Sequence, residues 1–261
     1  MGETHMWPEA LDDVAAYAAE VRTRLDSIAR LASDGGMDRA ITILADCIER
    51  GGVIHAFGTG HSEAFAMEIA GRAGGLIPTN KVALRDTVLH GKHTLAELGG
   101  RPPLERDPHI AEDLFATVNR QPEDVFVIAS NSGVNGSIVG LALLAREHDH
   151  RVIAVTSMEH TARVSPLHPS GQRLADVADV VIDNLAPYGD ATLALGLDAR
   201  VGAVSSITAA YIAQLLTIGV ARTLSQRGAQ PPLYLSANIP GGDEHNRALE
   251  DRYEGRIRRT A

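Results

Sequence analysis

The sequence predicts one α/β domain, in which a mostly parallel β-sheet carries helices on both faces. Short runs of β-branched and other apolar residues alternate along the chain with segments that have the spacing of amphipathic helices. Such alternation is typical of parallel sheets, because parallel strands are joined by helical crossovers. With 261 residues the chain is long enough to bury a full core, and it contains no low-complexity linker.

Composition and charge argue against several classes of protein. Hydrophobic residues make up 44% of the chain and charged residues 22%, as in globular rather than disordered proteins. The formal net charge is −9 and no lysine- or arginine-rich run occurs, so we expect no nucleic-acid partner. The single cysteine, Cys47, lies in a helical pattern, where we expect it to be buried. One cysteine and no visible signal peptide favour a cytoplasmic location.

Two helices are predicted before the first strand. Apolar residues at helical spacing extend from Leu11 to Ala32, where the turn at 33–36 ends the helix. A second helix extends from Met37 to Arg50 and is stopped by Gly51-Gly52. We interpret this N-terminal helical pair as a lid or a dimerisation element rather than as a source of catalytic residues.

The predicted strands are short apolar runs separated by helices. In chain order they are 52–56, 76–79, 125–129, 151–156 and 179–183. The helices predicted between them are 62–73, 110–118 and 135–148. From Asn80 to Pro108 the pattern is weak and broken by glycine and proline, which is typical of a functional connection near an active site.

One stretch is long and apolar enough to need a comparison with a membrane span. No charged residue occurs from Val201 to Ala221, but five of its residues are serine, threonine or glutamine and no second span accompanies it. These features favour a helix that is buried in the core or at a subunit interface. We therefore expect no membrane partner.

Two glycine-containing turns form the strongest functional signal in the sequence. The first, Phe57-Gly58-Thr59-Gly60-His61-Ser62, follows the first predicted strand, and the second, Ser130-Asn131-Ser132-Gly133, follows the strand at 125–129. Each turn leads into a predicted helix, so that backbone N–H groups and the positive end of the helix dipole face one point. Ligands of parallel sheets bind at the carboxyl ends of strands, where both turns lie. This arrangement predicts a site for a phosphate or another anion.

Neither turn matches a nucleotide-binding fingerprint. Glu63 stands where a dinucleotide-binding loop has its third glycine, and the Gly-Lys-Ser of a P-loop is absent from the sequence. For the first turn alone, a tight strand-to-helix connection formed for packing is an equal alternative. The second turn favours ligand binding, since it brings three hydroxyls and an amide together within eight residues. These are Ser130, Ser132, Asn135 and Ser137.

With these turns the chain resembles the SIS (sugar isomerase) domain family, whose phosphosugar loop reads Ser-x-Ser-Gly-x-Thr. The resemblance covers roughly residues 37–227, with an N-terminal helical extension at 1–36 and a C-terminal tail at 228–261 that completes the site or an interface. It implies a flavodoxin-like three-layer αβα sandwich with a five-stranded parallel sheet. It also implies a homodimer or homotetramer that binds a phosphorylated sugar across a subunit interface. We expect neither a cofactor nor a metal.

Several short segments resemble the phosphoheptose-isomerase-like group of this family more narrowly. They are His61-Ser62, Glu68, Arg72–Gly75, Leu89-His90 and Asp243–Asn246. Carried over by position, the residues that bind phosphate or substrate are Gly60, His61, Ser62, Ser130, Asn131, Ser132, Gly133 and Asn135, with Ser137 as a further candidate. Asn135 departs from the family pattern, which has threonine there, although an amide also donates to phosphate oxygens.

Isomerisation of a sugar phosphate needs a base that moves a proton between adjacent carbons and a donor that manages the oxygens. Glu68 is the candidate base, because it lies seven residues after His61, on nearly the same face of the predicted helix. Its apolar neighbours favour partial burial and a raised pKa. The alternative is an ordinary helical glutamate that pairs with Arg72 four residues later.

Three other residues are candidates for a catalytic role. His90 is predicted to open the sugar ring or bind its hydroxyls, with a surface histidine as the alternative. A metal site at His90 and His93 is disfavoured, because no further ligand set accompanies them. Glu244 and His245 follow a Pro-Gly-Gly turn, and they are either solvated or close over the site of a neighbouring subunit.

The remaining polar features have structural interpretations. We expect His55 to be a hydrogen-bonded core histidine, because it lies within a predicted strand. The charged run at 146–150 is expected to be a solvated helix end, and the turn at 188–190 either lines the pocket or is a plain turn.

The leading functional hypothesis is an aldose–ketose isomerase that acts on a sugar phosphate through an enediol. A deaminase or lyase that acts on an amino-sugar phosphate is an alternative on the same fold. A non-catalytic phosphosugar sensor is a third, although no helix-turn-helix segment or basic patch precedes the domain.

Overall fold

A five-stranded parallel sheet forms the centre of the protein. The structure is a computed structural model that describes residues 10–195 and 198–259. The strands are β1 Ile54–Gly58, β2 Thr79–Val82, β3 Val125–Ala129, β4 Arg151–Thr156 and β5 Val180–Asp183. Their spatial order is β2-β1-β3-β4-β5, and all neighbouring pairs are parallel. The predicted three-layer α/β architecture is confirmed.

Helices of very different length surround the sheet. They are α1 Ala10–Ser33, α2 Asp38–Glu49, α3 Glu63–Ile69, α4 Asp86–Leu89, α5 Leu95–Leu98, α6 Ile110–Ala116, α7 Gly136–Glu147, α8 Met158–Arg163, α9 Leu174–Val177, α10 Ser205–Gln226 and α11 Gly242–Glu250. Short 3₁₀ turns occur at Gly60–Ser62, Leu104–Arg106 and Asp251–Tyr253. The predicted N-terminal helical pair is present as α1 and α2.

Two hydrophobic clusters cover the two faces of the sheet. On one face, α2, α3 and α10 pack over buried residues such as Ile54, Val127 and Ile153. On the other face, α6 and α7 pack over Phe57 and Phe126. Alternate residues of each strand point to opposite faces, so the continuous apolar runs of β1, β3 and β4 supply both clusters.

Helix α10 is a core helix, as its polar residues led us to expect. By length and hydropathy it is, within the described residues, the one helix that would suit a membrane, and 44% of its most apolar window is buried. It packs against α1, α2 and α3. Cys47 on α2 is buried beneath it in the same cluster, as predicted.

One strand prediction and the start of one predicted helix need correction. The strand predicted at 76–79 begins only at Thr79, because Leu76 and Ile77 instead pair with the distant segment that contains Pro232 and Leu233. The helix predicted from Val201 begins at Ser205, because the preceding residues form an antiparallel hairpin. Its strands are β6 Ala191–Ala194 and β7 Arg200–Ala203.

The end of another predicted helix and the predicted irregular connection also differ from the structure. Helix α3 ends at Ile69 instead of Ala73, and Gly71 shortly after it has a φ of +75°, which favours glycine. The connection at 80–108 is less irregular than expected, since it holds the end of β2, two one-turn helices and a 3₁₀ turn.

The C-terminal segment is tied to the amino ends of the strands. The guanidinium of Arg259 donates to the carbonyl oxygens of Ile77 and Thr79, each at 2.8 Å. The backbone N–H of Arg258 donates to Asn80 Oδ1 at 3.0 Å. These contacts cover the start of β2, which is an edge strand with unpaired backbone groups on its outer side.

Candidate functional site

The two glycine-containing turns meet in one pocket at the carboxyl ends of β1 and β3. His61 and Ser62 line it from the first turn, and Ser130 and Asn131 line it from the second. The turns converge because β1 and β3 are neighbours in the sheet, with Gly58 in register with Ala129. The sequence placed both turns at strand ends but did not show that these two strands are adjacent.

The first turn requires glycine at position 58. A Cβ atom on Gly58 would lie 2.3 Å from the carbonyl oxygen of Ser62, because the chain folds back tightly on leaving β1. Gly60 has a φ of +56° and opens the 3₁₀ turn that carries His61 and Ser62. The Ser62 hydroxyl has no hydrogen bond within residues 10–195 and 198–259, so it is available to a ligand.

The second turn is held by its own hydrogen bonds. The N–H of Gly133 donates to Ser130 Oγ at 3.1 Å, and Gly133 has a φ of +65°. Asn184 Nδ2 donates to Asn131 Oδ1 at 3.3 Å, which links this turn to the end of β5. By contrast, the Ser132 hydroxyl makes no hydrogen bond to any described residue. The turn therefore presents a fixed backbone with one uncommitted hydroxyl.

Asn135 and Ser137 have different positions on α7. Asn135 is the half-buried N-cap of this 12-residue helix, and its side chain does not bond the helix N–H groups. Ser137 is buried and donates to the carbonyl oxygen of Glu105 at 2.8 Å. Ser137 thus fastens the 3₁₀ turn at 104–106 to α7 and is not positioned to bind a ligand, which corrects its assignment as a further phosphate donor.

Three polar residues that line the pocket were missed by the sequence analysis. They are Asn184, Ser205 and Ser206. Asn184 directly follows β5, so the rule that places ligands at strand carboxyl ends would have found it. The two serines begin α10, whose start was hidden by the unrecognised hairpin. Asp190 marks that start, because its carboxylate accepts hydrogen bonds from the N–H groups of Val204 at 3.1 Å and Ser205 at 2.8 Å.

Asp190 is therefore a helix cap, and the turn at 188–190 is not part of the pocket lining. Its Oδ2 also accepts a hydrogen bond from Ser205 Oγ at 2.7 Å. Since α10 is 22 residues long, its capped N-terminus adds a third helix dipole to those of α3 and α7, which follow the two turns.

Glu68 lies on α3, about 9 Å along the helix axis from Ser62. Its Oε1 accepts a hydrogen bond from Gln214 Nε2 at 2.6 Å and pairs with the guanidinium of Arg72. The sequence analysis gave this ion pair with Arg72 as the alternative to a catalytic role for Glu68. These two partners fix the carboxylate at the contact between α3 and α10, outside the pocket that the two turns form.

The two histidines of the 80–108 connection have different environments. His90 ends α4 and is exposed. His93 Nε2 lies 2.7 Å from Asp113 Oδ2, and its Nδ1 lies 3.4 Å from Glu97 Oε1. The hydrogen bond to Asp113 raises the pKa of His93. No group of three or more possible metal ligands occurs among the residues that the structure describes.

Glu244 and His245 lie on α11, away from the pocket of their own chain. His245 Nε2 is 3.0 Å from the carbonyl oxygen of Leu233, and Glu244 is exposed. Leu233 in turn pairs with Leu76, which precedes the amino end of β2. The tail is therefore folded onto its own subunit at the end of the sheet opposite the two turns.

Buried polar groups gather around Asp124 at the amino ends of the strands. His55 is fully buried, as predicted, with its Nε2 at 3.0 Å from Asp124 Oδ2 and its Nδ1 at 3.3 Å from Asn80 Nδ2. The run at 146–150 is the solvated helix end that we expected over its first four residues, which are exposed, and only its last residue departs from that expectation. His150 is buried with its Nδ1 at 3.1 Å from the carbonyl oxygen of Asp124, and Arg146 pairs with Asp179 at 2.7 Å.

Solved structures share this fold. A phosphoheptose isomerase from Francisella tularensis has a TM-score of 0.55 at 18% identity, over 82% of this chain and 98% of that one. Phosphoheptose isomerase GmhA from Neisseria gonorrhoeae has a TM-score of 0.52 at 22% identity, over 80% of this chain and 97% of that one. The E. coli CFT073 protein c3406, solved in complex with a phosphosugar, has a TM-score of 0.54 at 16% identity, over 86% and 94%.

Relatives found by sequence have higher identity to this chain than these solved structures. A UPF0309 protein of Listeria monocytogenes is 36% identical over 220 residues, which cover 84% of this chain and 88% of the relative. A UPF0309 protein of Geobacillus kaustophilus is 31% identical over 242 residues, which cover 92% and 94%. The SIS domain model matches residues 16–157, from within α1 to just after β4. The chain therefore belongs to the SIS domain family.

Proposed function

We propose that this protein is an aldose–ketose isomerase that acts on a sugar phosphate through an enediol. The observation that carries the proposal is the convergence of the two turns in one pocket at the carboxyl ends of β1 and β3. Ser62 and Ser130, one from each turn, line that pocket, together with the serines that begin α10.

The phosphate is held by the hydroxyls of Ser62, Ser130 and Ser132 and by the amide of Asn135. Backbone N–H groups at helix N-termini are natural partners for a phosphate. The net charge of −9 does not oppose this binding, because oriented dipoles act locally while distant surface charge is screened by salt. This assignment makes the phosphate the anchor of the substrate.

Structural neighbours support a sugar phosphate as the substrate class. Two of them are phosphoheptose isomerases, and a third was solved with a phosphosugar bound. Identities of 16–22% establish the shared fold, and the extension of the substrate class to this chain is part of the proposal.

Glu68 is the proposed base. With the phosphate at the N-terminus of α3, an extended sugar reaches along the helix and brings its reacting carbons toward the carboxylate. Glu68 removes the proton from the carbon next to the carbonyl, and the electron pair of that bond forms the C=C bond of the enediol while the carbonyl oxygen takes up a proton. The same carboxyl returns its proton to the former carbonyl carbon while the neighbouring hydroxyl oxygen gives up its proton and becomes the new carbonyl, so that no proton or electron is gained or lost overall. Arg72 and Gln214 hold the carboxylate in one orientation.

We also propose that the site is completed by a neighbouring subunit in a homodimer or homotetramer. Since Glu244 and His245 are distant from the pocket of their own chain, any role for them requires a second copy. His90 is proposed to open the sugar ring. The mass of the protein in solution tests whether such an oligomer forms.

Deuterium exchange from heavy water tests the proposed reaction. We expect the wild-type protein to incorporate solvent deuterium into a bound sugar phosphate, as measured by NMR, and Glu68→Gln to lose incorporation while it still binds the ligand. Glu254→Gln, an exposed glutamate on the tail, is the matched control. Incorporation by Glu68→Gln would transfer the role of base to Glu63, Glu244 or His245. Binding without any exchange in the wild type would instead indicate a sensor.

A further inference from the structure

A second pocket lies between the C-terminal end of α3, the edge strand β2 and the C-terminal segment. Its volume is about 300 Å³, and it is separate from the pocket formed by the two turns. Of its seven lining residues none is acidic, and four carry positive charge. These four are Arg72, Lys81, Arg258 and Arg259. The volume is at the lower end of the range for small-ligand sites.

Lys81 has a largely buried side chain, and its ammonium group makes one long ion pair. Its side chain is only 14% exposed, and the nearest carboxylate oxygen, Glu63 Oε1, lies 3.6 Å away. Glu63 is itself engaged by the guanidinium of Arg85. Within the described part of the chain, Lys81 makes no hydrogen bond. An ammonium group has three donors, so Lys81 can still donate to a ligand.

Arg258 also has an unused donor in this region. Its Nη2 donates to the carbonyl oxygen of Thr117 at 3.0 Å. Its Nη1 is buried, has no hydrogen-bond acceptor among the described residues, and lies 3.6 Å from Asp86 Oδ2. Two cationic groups beside one pocket thus have donors that the described residues do not satisfy.

The other two arginines define the walls of the pocket. Arg259 is committed to carbonyl oxygens at 77 and 79, so it holds the C-terminal segment against the sheet. Arg72 is 48% exposed and pairs with Glu68. Arg72 therefore forms the exposed wall of the pocket while it stays paired with Glu68.

We propose that this pocket binds a small anion that carries a phosphate group, at a site distinct from the two turns. Phosphate oxygens supply the acceptors that Lys81 lacks, and charge-assisted hydrogen bonds to phosphate are among the strongest in proteins. The proposal does not rest on the isomerase reaction, because its residues and its pocket are separate from those that anchor the substrate.

Titration calorimetry with inorganic phosphate tests the proposal. We expect two phosphates per wild-type chain, and Lys81→Met to weaken one of them by roughly tenfold or more. Lys81→Arg keeps the charge and should retain binding. Lys92→Met is the matched control, because Lys92 is the only other lysine of the chain and is 76% exposed. Unchanged binding by Lys81→Met would overturn the proposal.

A third variant separates this site from the proposed substrate site. Ser132→Ala should weaken the other phosphate and leave the Lys81 site intact. A single wild-type phosphate that is weakened only by Ser132→Ala would overturn the second site and leave the proposed function standing. A single phosphate that is weakened only by Lys81→Met would support the second site and contradict the proposed phosphate site at the two turns.

A measurement on the wild-type protein avoids dependence on the folding of a variant. Phosphate should slow acylation of Lys81 but not of Lys92, as followed by peptide mass spectrometry. Equal rates of Lys81 acylation with and without phosphate would overturn the proposal.

Discussion

Asp124 is the residue on which the buried polar cluster depends. Its carboxylate accepts hydrogen bonds from the N–H groups of Val53 at 2.7 Å and Gln121 at 2.9 Å, from His55, and from the guanidinium of Arg256. Four donors from three parts of the chain therefore converge on one side chain, which is itself fully buried. Arg256 joins the C-terminal segment to this cluster.

Burial and hydrogen bonding make the cluster sensitive to acid. Burial alone would raise the pKa of Asp124, but the hydrogen bonds from His55 and from backbone N–H groups hold that pKa below its usual value. Burial lowers the pKa of His55, which stays neutral. Both groups bind protons more readily in the unfolded chain, so the folded state loses stability as the pH falls.

We expect the free energy of unfolding to decrease below about pH 6.5, where unfolded histidine gains a proton, and again below about pH 4, where unfolded aspartate does. Asp124→Asn should lower the free energy of unfolding by about 3–5 kcal/mol at pH 7, because the buried Arg256 loses its counter-charge. In this variant the free energy of unfolding should also decrease less steeply below about pH 4. Urea denaturation across this pH range measures both effects. The exposed Asp243→Asn is the control, and an equal response of the two variants would contradict this role of Asp124.

At the scale of elements, the turn after β1 sets the geometry of the phosphate pocket. Gly58→Ala forces a Cβ atom against the carbonyl oxygen of Ser62, which lies 2.3 Å from its ideal position. We expect a loss of about 1–3 kcal/mol in the free energy of unfolding and weaker binding of a sugar phosphate. Thermal melts and calorimetry measure the two effects. Gly99→Ala is the control, because its Cβ meets no atom closer than 4.0 Å. Wild-type binding by Gly58→Ala would show that the turn tolerates a side chain.

The elements also show what the sequence could predict. Strands β3 and β4 were predicted at their observed residues, because continuous apolar runs between turns are a local signal. The hairpin of β6 and β7 was missed, since Val201–Val204 is uncharged and runs directly into the apolar helix α10. The shift of β2 depends on a bridge between Leu76 and Leu233, which are 157 positions apart, and no local pattern contains such a contact.

For the site, too, local features could be predicted from the sequence and long-range contacts could not. The residues of both turns could be named from local composition, and their convergence followed from a strand order that only the fold supplies. Ser137 was overestimated, because its hydroxyl is used by a backbone carbonyl 32 residues away. A sequence lists donors but does not say which of them are already bonded.

At the scale of the whole molecule, the distance between the pocket and α11 bears on assembly. A site shared between subunits requires a stable oligomer, so we expect sedimentation velocity to give two or four times the 27.7 kDa mass of the chain at micromolar concentration. A monomer under those conditions would exclude Glu244 and His245 from the site. The His245→Ala variant, which keeps the phosphate turns intact, should bind a sugar phosphate as the wild type does.

The most direct test of the central claim compares one sugar with its phosphate ester. Calorimetry on Ser132→Ala should show roughly tenfold or more weaker binding of the ester and unchanged binding of the free sugar, because one hydrogen bond to the phosphate is lost. Ser33→Ala, at the exposed end of α1, should bind both ligands as the wild type does. An equal loss for the ester and the free sugar on Ser132→Ala would contradict the assignment of these turns as a phosphate site.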